Sequence, residues 1–209
     1  MARLLQKAKP VFLSLFLAYL FSFLAGYSAG KLDYVRYETL INRDVFKISR
    51  TLEYRIPGYG SVLQSYKEHH RRLMNSLASN KNFTGMGILI FLNNFVVANI
   101  TMIVRAIFIF PLFLNIAGKF LQGVIMAQTP GPPMIYIMFI MEFGGYFLTS
   151  FAALTGVLWT IFSRGFGFSS RRKAFLGGLR LLGIMYLVSG IGILLGSVAE
   201  TLFLRNLLL

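Results

Sequence analysis

One carboxylate inside a long apolar run constrains this chain more than any other feature. Residues 133–162, PMIYIMFIMEFGGYFLTSFAALTGVLWTIF, hold Glu142 as their single charge. A helix of that length reaches about 45 Å, more than the ~30 Å hydrocarbon core of a bilayer. Glu142 lies nine residues past Pro133, which is about 13 Å into such a helix and near mid-bilayer. Insertion scales charge an acidic group about 2.5–3.5 kcal/mol at that depth, so it must be protonated or partnered. Gly145, Tyr146 and Thr149 follow at i+3, i+4 and i+7 and make one narrow stripe of small and polar residues. Such a stripe packs against other helices or lines a cavity.

The rest of the chain agrees with a membrane setting. Hydrophobic residues make up 56% of it, including 21 Phe, and several apolar runs have no water-facing complement, which excludes a soluble fold. The formal charge of +14 is then read as basic residues flanking spans and meeting anionic lipid headgroups, with no nucleic-acid partner. Without cysteine there is no disulfide, thiolate ligand or cysteine nucleophile. The opening MARLLQKAKP and the apolar run after it look like a signal sequence. Residues 11–30 are too long for the apolar part of one, and they read as a retained first span in which Gly26-xxx-Gly30 admits close helix approach.

Residues 31–82 are the one substantial polar segment, with ten basic and five acidic residues. Tyr34–Tyr54 and Ser61–Ser79 read as amphipathic helices on either side of a turn at Ile56–Gly60. Glu68-His69-His70 does not make a metal site, because adjacent histidines point to different helix faces. Asn82-Phe83-Thr84 is a glycosylation sequon that matters only outside the cell.

Residues 84–110 form the second span, with Asn94, Ala98, Thr101 and Arg105 in α-helical phase on one face. Residues 111–128 are more amphipathic: Asn115, Lys119 and Gln122 share a face, so this piece spans, lies along the interface or re-enters. Thr129–Pro133 is a stiff turn. Residues 163–173 are a short basic loop, the most reliable cytoplasmic marker. The last span covers 174–204, with Glu200 and the Gly192-xxx-Gly196 pair. Helices joined by so short a loop are antiparallel neighbours, so Glu142 and Glu200 both lie toward the end away from it. With Glu200 so far along its helix, the reading puts it near the interface, more cheaply solvated than Glu142.

Asn93 and Asn94 sit about 14 Å into the second span and reach mid-bilayer in either direction. The expectation is therefore an asparagine–glutamate contact, with Tyr146 or Thr149 as a further donor; the alternative is that each group is satisfied by water. Arg105 meets Glu142 only if residues 111–128 fail to cross. Two topologies remain open. Five spans leave the N-terminus and the basic loop on one side and residues 31–82 on the other. A re-entrant 111–128 puts both basic regions inside and the N-terminus outside, which the charge rule mildly favours.

Three landmarks in order resemble the stage II sporulation protein M family of integral membrane proteins. They are Phe91-Leu92-Asn93-Asn94, Phe139-Ile140-Met141-Glu142-Phe143 and Ser197-Val198-Ala199-Glu200-Thr201-Leu202-Phe203. The similarity covers about residues 84–204. The histidine and glycine that usually precede the family's glutamate are Met138 and Phe139 here, and its following proline is Gly144. The resemblance implies an all-α polytopic bundle of about five spans with a cytoplasmic N-terminus. It also implies a non-enzymatic scaffold in the cell membrane that oligomerises with itself and recruits protein partners, extracytoplasmic ones included. No cofactor or metal is implied. A second class is a transporter or channel subunit that uses Glu142 and Glu200 for protons or cations. An intramembrane hydrolase ranks last, since no span carries a histidine.

Overall fold

The computed structural model describes residues 2–34, 59–107, 109–128 and 133–208, and among these it is all-α with no strand. Helix α1 spans Ala2–Lys31, α2 Tyr59–Ser79 and α3 Phe83–Ile107. Helix α4 covers Ile109–Gln128, α5 Pro133–Ile161 and α6 Arg171–Leu208. Four of them are long and apolar enough to cross a membrane: α1, α3, α5 and α6. Their outward residues are large and apolar, as with Phe21, Ile140, Leu187 and Ile191, each more than 60% exposed. A surface of that kind suits lipid and would aggregate in water. The helices overrun the expected spans mainly at their polar ends. Thus α1 takes in the basic N-terminal flank, and α6 begins at Arg171. The expected helix at 34–54, most of the 56–60 turn and most of the 129–133 turn fall outside the described residues.

Helix directions follow from which residues meet. Phe12 packs on Phe151 and Phe23 on Phe139, so α1 runs antiparallel to α5. The Ser22 hydroxyl donates to the Ile116 carbonyl and the Gln128 amide to the Gly30 carbonyl, so α4 runs parallel to α1. Phe95 packs on Tyr186 and Gly87 lies against Thr201, so α3 opposes α6. Taken in chain order, these five helices alternate in sense. Helix α4 lies against the second half of α1, where Ser22 meets Ile116 and Gly30 meets Val124 and Gln128, and it is not among the four helices long and apolar enough to cross a membrane. The N-terminus and the 163–170 loop share one end; Tyr34, α2 and the end of α6 occupy the other.

Two features fix the loop end. The Lys7 ammonium donates to the carbonyls of Phe166 and Gly167 at 2.7 and 2.9 Å and stands 4.2 Å above the Phe168 ring. Gly167 holds a φ of +67°, in the left-handed region that glycine enters without steric cost. Beneath that turn Trp159 is fully buried against Phe166 and Phe168.

Close helix contact depends on glycine. A Cβ on Gly26 would strike the Phe120 carbonyl, and one on Gly123 would fall 2.6 Å from the Tyr27 nitrogen. In the α5–α6 hairpin a Cβ on Gly178 would fall 2.5 Å from the Gly156 Cα. Small residues let backbones approach this way where lipid gives no hydrophobic drive to associate. Gly30 lies against Val124, Gly145 against Ser189 and Ile193, Gly192 against the Met141 carbonyl, and Gly196 against the Glu142 side chain.

Helix α2 folds back antiparallel along the first half of α3. Leu77 sits beside Gly85, and Tyr66 reaches Asn93. The Asn82 side chain caps α3 by accepting from the Gly85 N–H at 2.9 Å, so the sequon asparagine also ends the turn between the two helices. Lys67, Glu68, His69, Arg71 and Arg72 are exposed on α2.

Candidate functional site

Glu142 is half-buried on α5, three turns from its N-terminus. Its Oε1 accepts a hydrogen bond from Asn94 Nδ2 at 2.6 Å. Asn94 Oδ1 in turn accepts from Asn93 Nδ2 at 3.0 Å, and Asn93 Oδ1 accepts from the Tyr66 hydroxyl at 3.2 Å. Three hydrogen bonds thus join α2 to α3 and α3 to the carboxylate of α5. Because Asn94 Oδ1 already holds a donor, its N–H₂ end is the one presented to Glu142. Tyr66 of α2 meets this part of α3, so Glu142 has a polar neighbourhood that its depth alone did not indicate.

The local backbone explains the pairing. Residues Asn93–Ala98 form a π-helical turn, and the Asn99 N–H reaches back five residues to the Asn94 carbonyl. Such turns insert one residue into an α-helix and shift the phase of everything after it. The α-helical face read from the sequence, Asn94–Ala98–Thr101–Arg105, is broken here. Asn99 takes the inward position instead. It is fully buried, donates to the Ser189 hydroxyl at 2.9 Å and accepts from the Thr149 hydroxyl at 2.9 Å. The second polar contact therefore joins α3, α5 and α6 one to two turns past the first. Thr101 bonds back to the Val97 carbonyl at 2.8 Å.

These positions correct parts of the sequence reading. Thr149 is not a donor to Glu142; it serves Asn99, with the Gly145 and Tyr146 carbonyls also in reach. Tyr146 lies within electrostatic range of Glu142 and Glu200 but bonds to neither. Glu200 is half-buried on α6, in electrostatic range of Glu142 and one turn beyond Gly196, so it is less freely solvated than its place along the helix suggested. Arg105 is half-buried about 16 Å farther along α3 than Asn94, toward the loop end, where Tyr19 feels its charge.

Asn99 could have been found in the sequence only by assuming the extra residue in the turn. Tyr66 carried no signal, because its partner lies across the α2–α3 turn. Lys119 is 97% buried in α4 and donates to Gln122 at 3.0 Å.

Comparison with protein-family models, with characterised proteins and with solved structures finds no match to this chain. The reading of the site rests on its geometry.

Among the described residues no three of His, Cys, Asp and Glu converge in a way that could hold a metal ion. On α2, His70 leans against the Tyr66 ring with centroids 5.9 Å apart. Partial burial lowers the His70 pKa and raises that of Tyr66, so it favours the uncharged form of both. The arrangement suits hydrogen-bonded attachment of one helix to another.

Proposed function

We propose that this protein is a non-enzymatic scaffold of the cell membrane, crossing it several times and presenting residues 31–82 to a protein partner. The observation that carries this reading is the line Tyr66–Asn93–Asn94–Glu142, which ties the polar helix α2 to the bundle interior. Buried polar groups elsewhere, Asn99, Thr149 and Ser189, likewise hold helix to helix. The resemblance of the landmarks around Asn94, Glu142 and Glu200 to the stage II sporulation protein M family supports a recruiting role and self-association. The basic residues at the loop end, Arg3, Lys7, Lys9, Arg164 and Arg171–Lys173, favour a cytoplasmic setting for that end and an extracytoplasmic one for α2. Affinity purification with cross-linking from native membranes tests it. A partner or a homo-oligomer lost on removal of residues 35–58 or on Arg71→Glu with Arg72→Glu supports the reading. Recovery of a lone protomer under every condition contradicts it.

One observation favours a second reading. Glu142 and Glu200 are the chain's only acidic residues outside residues 31–82, and they lie in mutual electrostatic range. Such a pair suits a proton or monovalent cation. Ion flux into proteoliposomes that disappears in Glu142→Gln would replace the scaffold with a transporter or channel subunit.

A further inference from the structure

A second polar cluster lies between α1, α4 and α5, on the loop side of Glu142. Tyr19, Asn115, Lys119 and Ser150 are each at most 3% exposed. The Lys119 ammonium donates to Gln122 Oε1 at 3.0 Å and sits 4.0 Å from the Phe143 ring centroid and 5.6 Å from that of Tyr19. Among the described residues no carboxylate pairs with it. The side chains of Ser150 and Asn115 approach the Tyr19 hydroxyl within hydrogen-bonding range. None of Tyr19 Oη, Ser150 Oγ and the two Asn115 amide atoms completes a bond of good geometry, so the three side chains share fewer bonds than they can make. Arg105 adds positive potential at Tyr19.

Buried polar groups in native proteins are paired, and a buried ammonium without a counter-charge is costlier still. Water would satisfy the hydroxyls and the amide, but Lys119 would then have to shed its proton to escape an unbalanced buried charge. We propose that this cluster binds a small monovalent anion of the size of chloride or nitrate. The ammonium supplies the charge; Tyr19, Ser150 and the Asn115 N–H₂ supply neutral donors from three helices. With donors on α1, α4 and α5, the anion cross-links the part of the bundle where α1 and α4 meet the α5–α6 hairpin.

The full chain in nanodiscs of uncharged phosphatidylcholine tests this, with sodium chloride or sodium nitrate replacing sodium gluconate at constant ionic strength. The thermal unfolding midpoint should rise saturably with chloride and nitrate and not with gluconate. Tyr19→Phe removes one donor without changing shape and should raise the half-saturating chloride concentration about tenfold. Lys119→Met removes the buried charge and should abolish the dependence while the protein still folds. Should that variant fail to fold, Ser150→Ala provides a second reading and should raise the half-saturating concentration as Tyr19→Phe does. Equal midpoints in chloride and gluconate for the wild type would overturn the proposal and leave a water-filled cluster. A saturable effect undiminished in Lys119→Met or in Ser150→Ala would also overturn it, since the anion would then bind elsewhere on this basic protein.

Discussion

The Asn94 amide donates to the Glu142 carboxylate at 2.6 Å, across the contact between α3 and α5. Such a bond offsets part of the cost of burying an acidic group: one partner is an acceptor with no other described side-chain donor, the other a donor already aligned by Asn93. A double-mutant cycle on Asn94→Ala and Glu142→Met, read by unfolding in detergent, should show coupling of about 0.6–1.7 kcal/mol. Strict additivity would mean the two side chains do not meet.

Asn99 should be the more costly asparagine to truncate. Asn99→Ala removes two buried hydrogen bonds, leaving Thr149 and Ser189 only backbone carbonyls of their own helices, and should destabilise by about 1–3 kcal/mol. Adding Thr149→Val should not deepen the loss, because the threonine has already lost its partner on the other helix. A double variant less stable than the single one would contradict this.

The sequence made some of this legible and hid the rest for identifiable reasons. The depth of Asn93, Asn94 and Glu142 could be counted from the span ends, and the short basic loop joined α5 to α6 as antiparallel neighbours. The phase of α3 beyond Asn94 could not be read, because the π-helical turn Asn93–Ala98 shifts it and nothing in the residue pattern announces the extra residue. That one shift moved Asn99 inward and gave Thr149 a partner other than Glu142. The glycine pairs at 26/30 and 192/196 show as motifs, whereas Gly123 and Gly156 stand alone, Gly178 has only Gly177 beside it, and all three meet their partners only in the fold. Tyr66 joins the core because α2 turns back on α3, and amphipathic periodicity alone says nothing of that direction.

Glycine substitutions should divide sharply by environment. Gly26→Leu and Gly178→Leu force backbones apart and should lower the unfolding midpoint by several degrees or prevent folding. Gly144→Ala and Gly183→Ala, which meet nothing within 4 Å, should be neutral or stabilising, since alanine is the better helix former. Equal losses at all four sites would contradict the packing described.

Because the chain has no cysteine, single cysteines report sidedness cleanly. Ser65→Cys on α2 and Ser169→Cys in the loop are both exposed and lie at opposite ends of the bundle. An impermeant thiol reagent applied to intact cells should label Ser65→Cys and spare Ser169→Cys. Labelling of both from one side would favour a re-entrant α4.

The most direct measurement is hydrogen exchange along α2 when the far end of the hydrogen-bond line is cut. Glu142→Met touches no residue of α2, yet it frees Asn94 and through it Asn93, the acceptor of Tyr66. Amides of residues 62–72 should exchange at least several-fold faster in Glu142→Met than in the wild type, and Tyr66→Phe should match that rate without further increase when combined with it. Unchanged exchange in α2 on Glu142→Met would contradict the claim that the polar helix is tied to the carboxylate of α5.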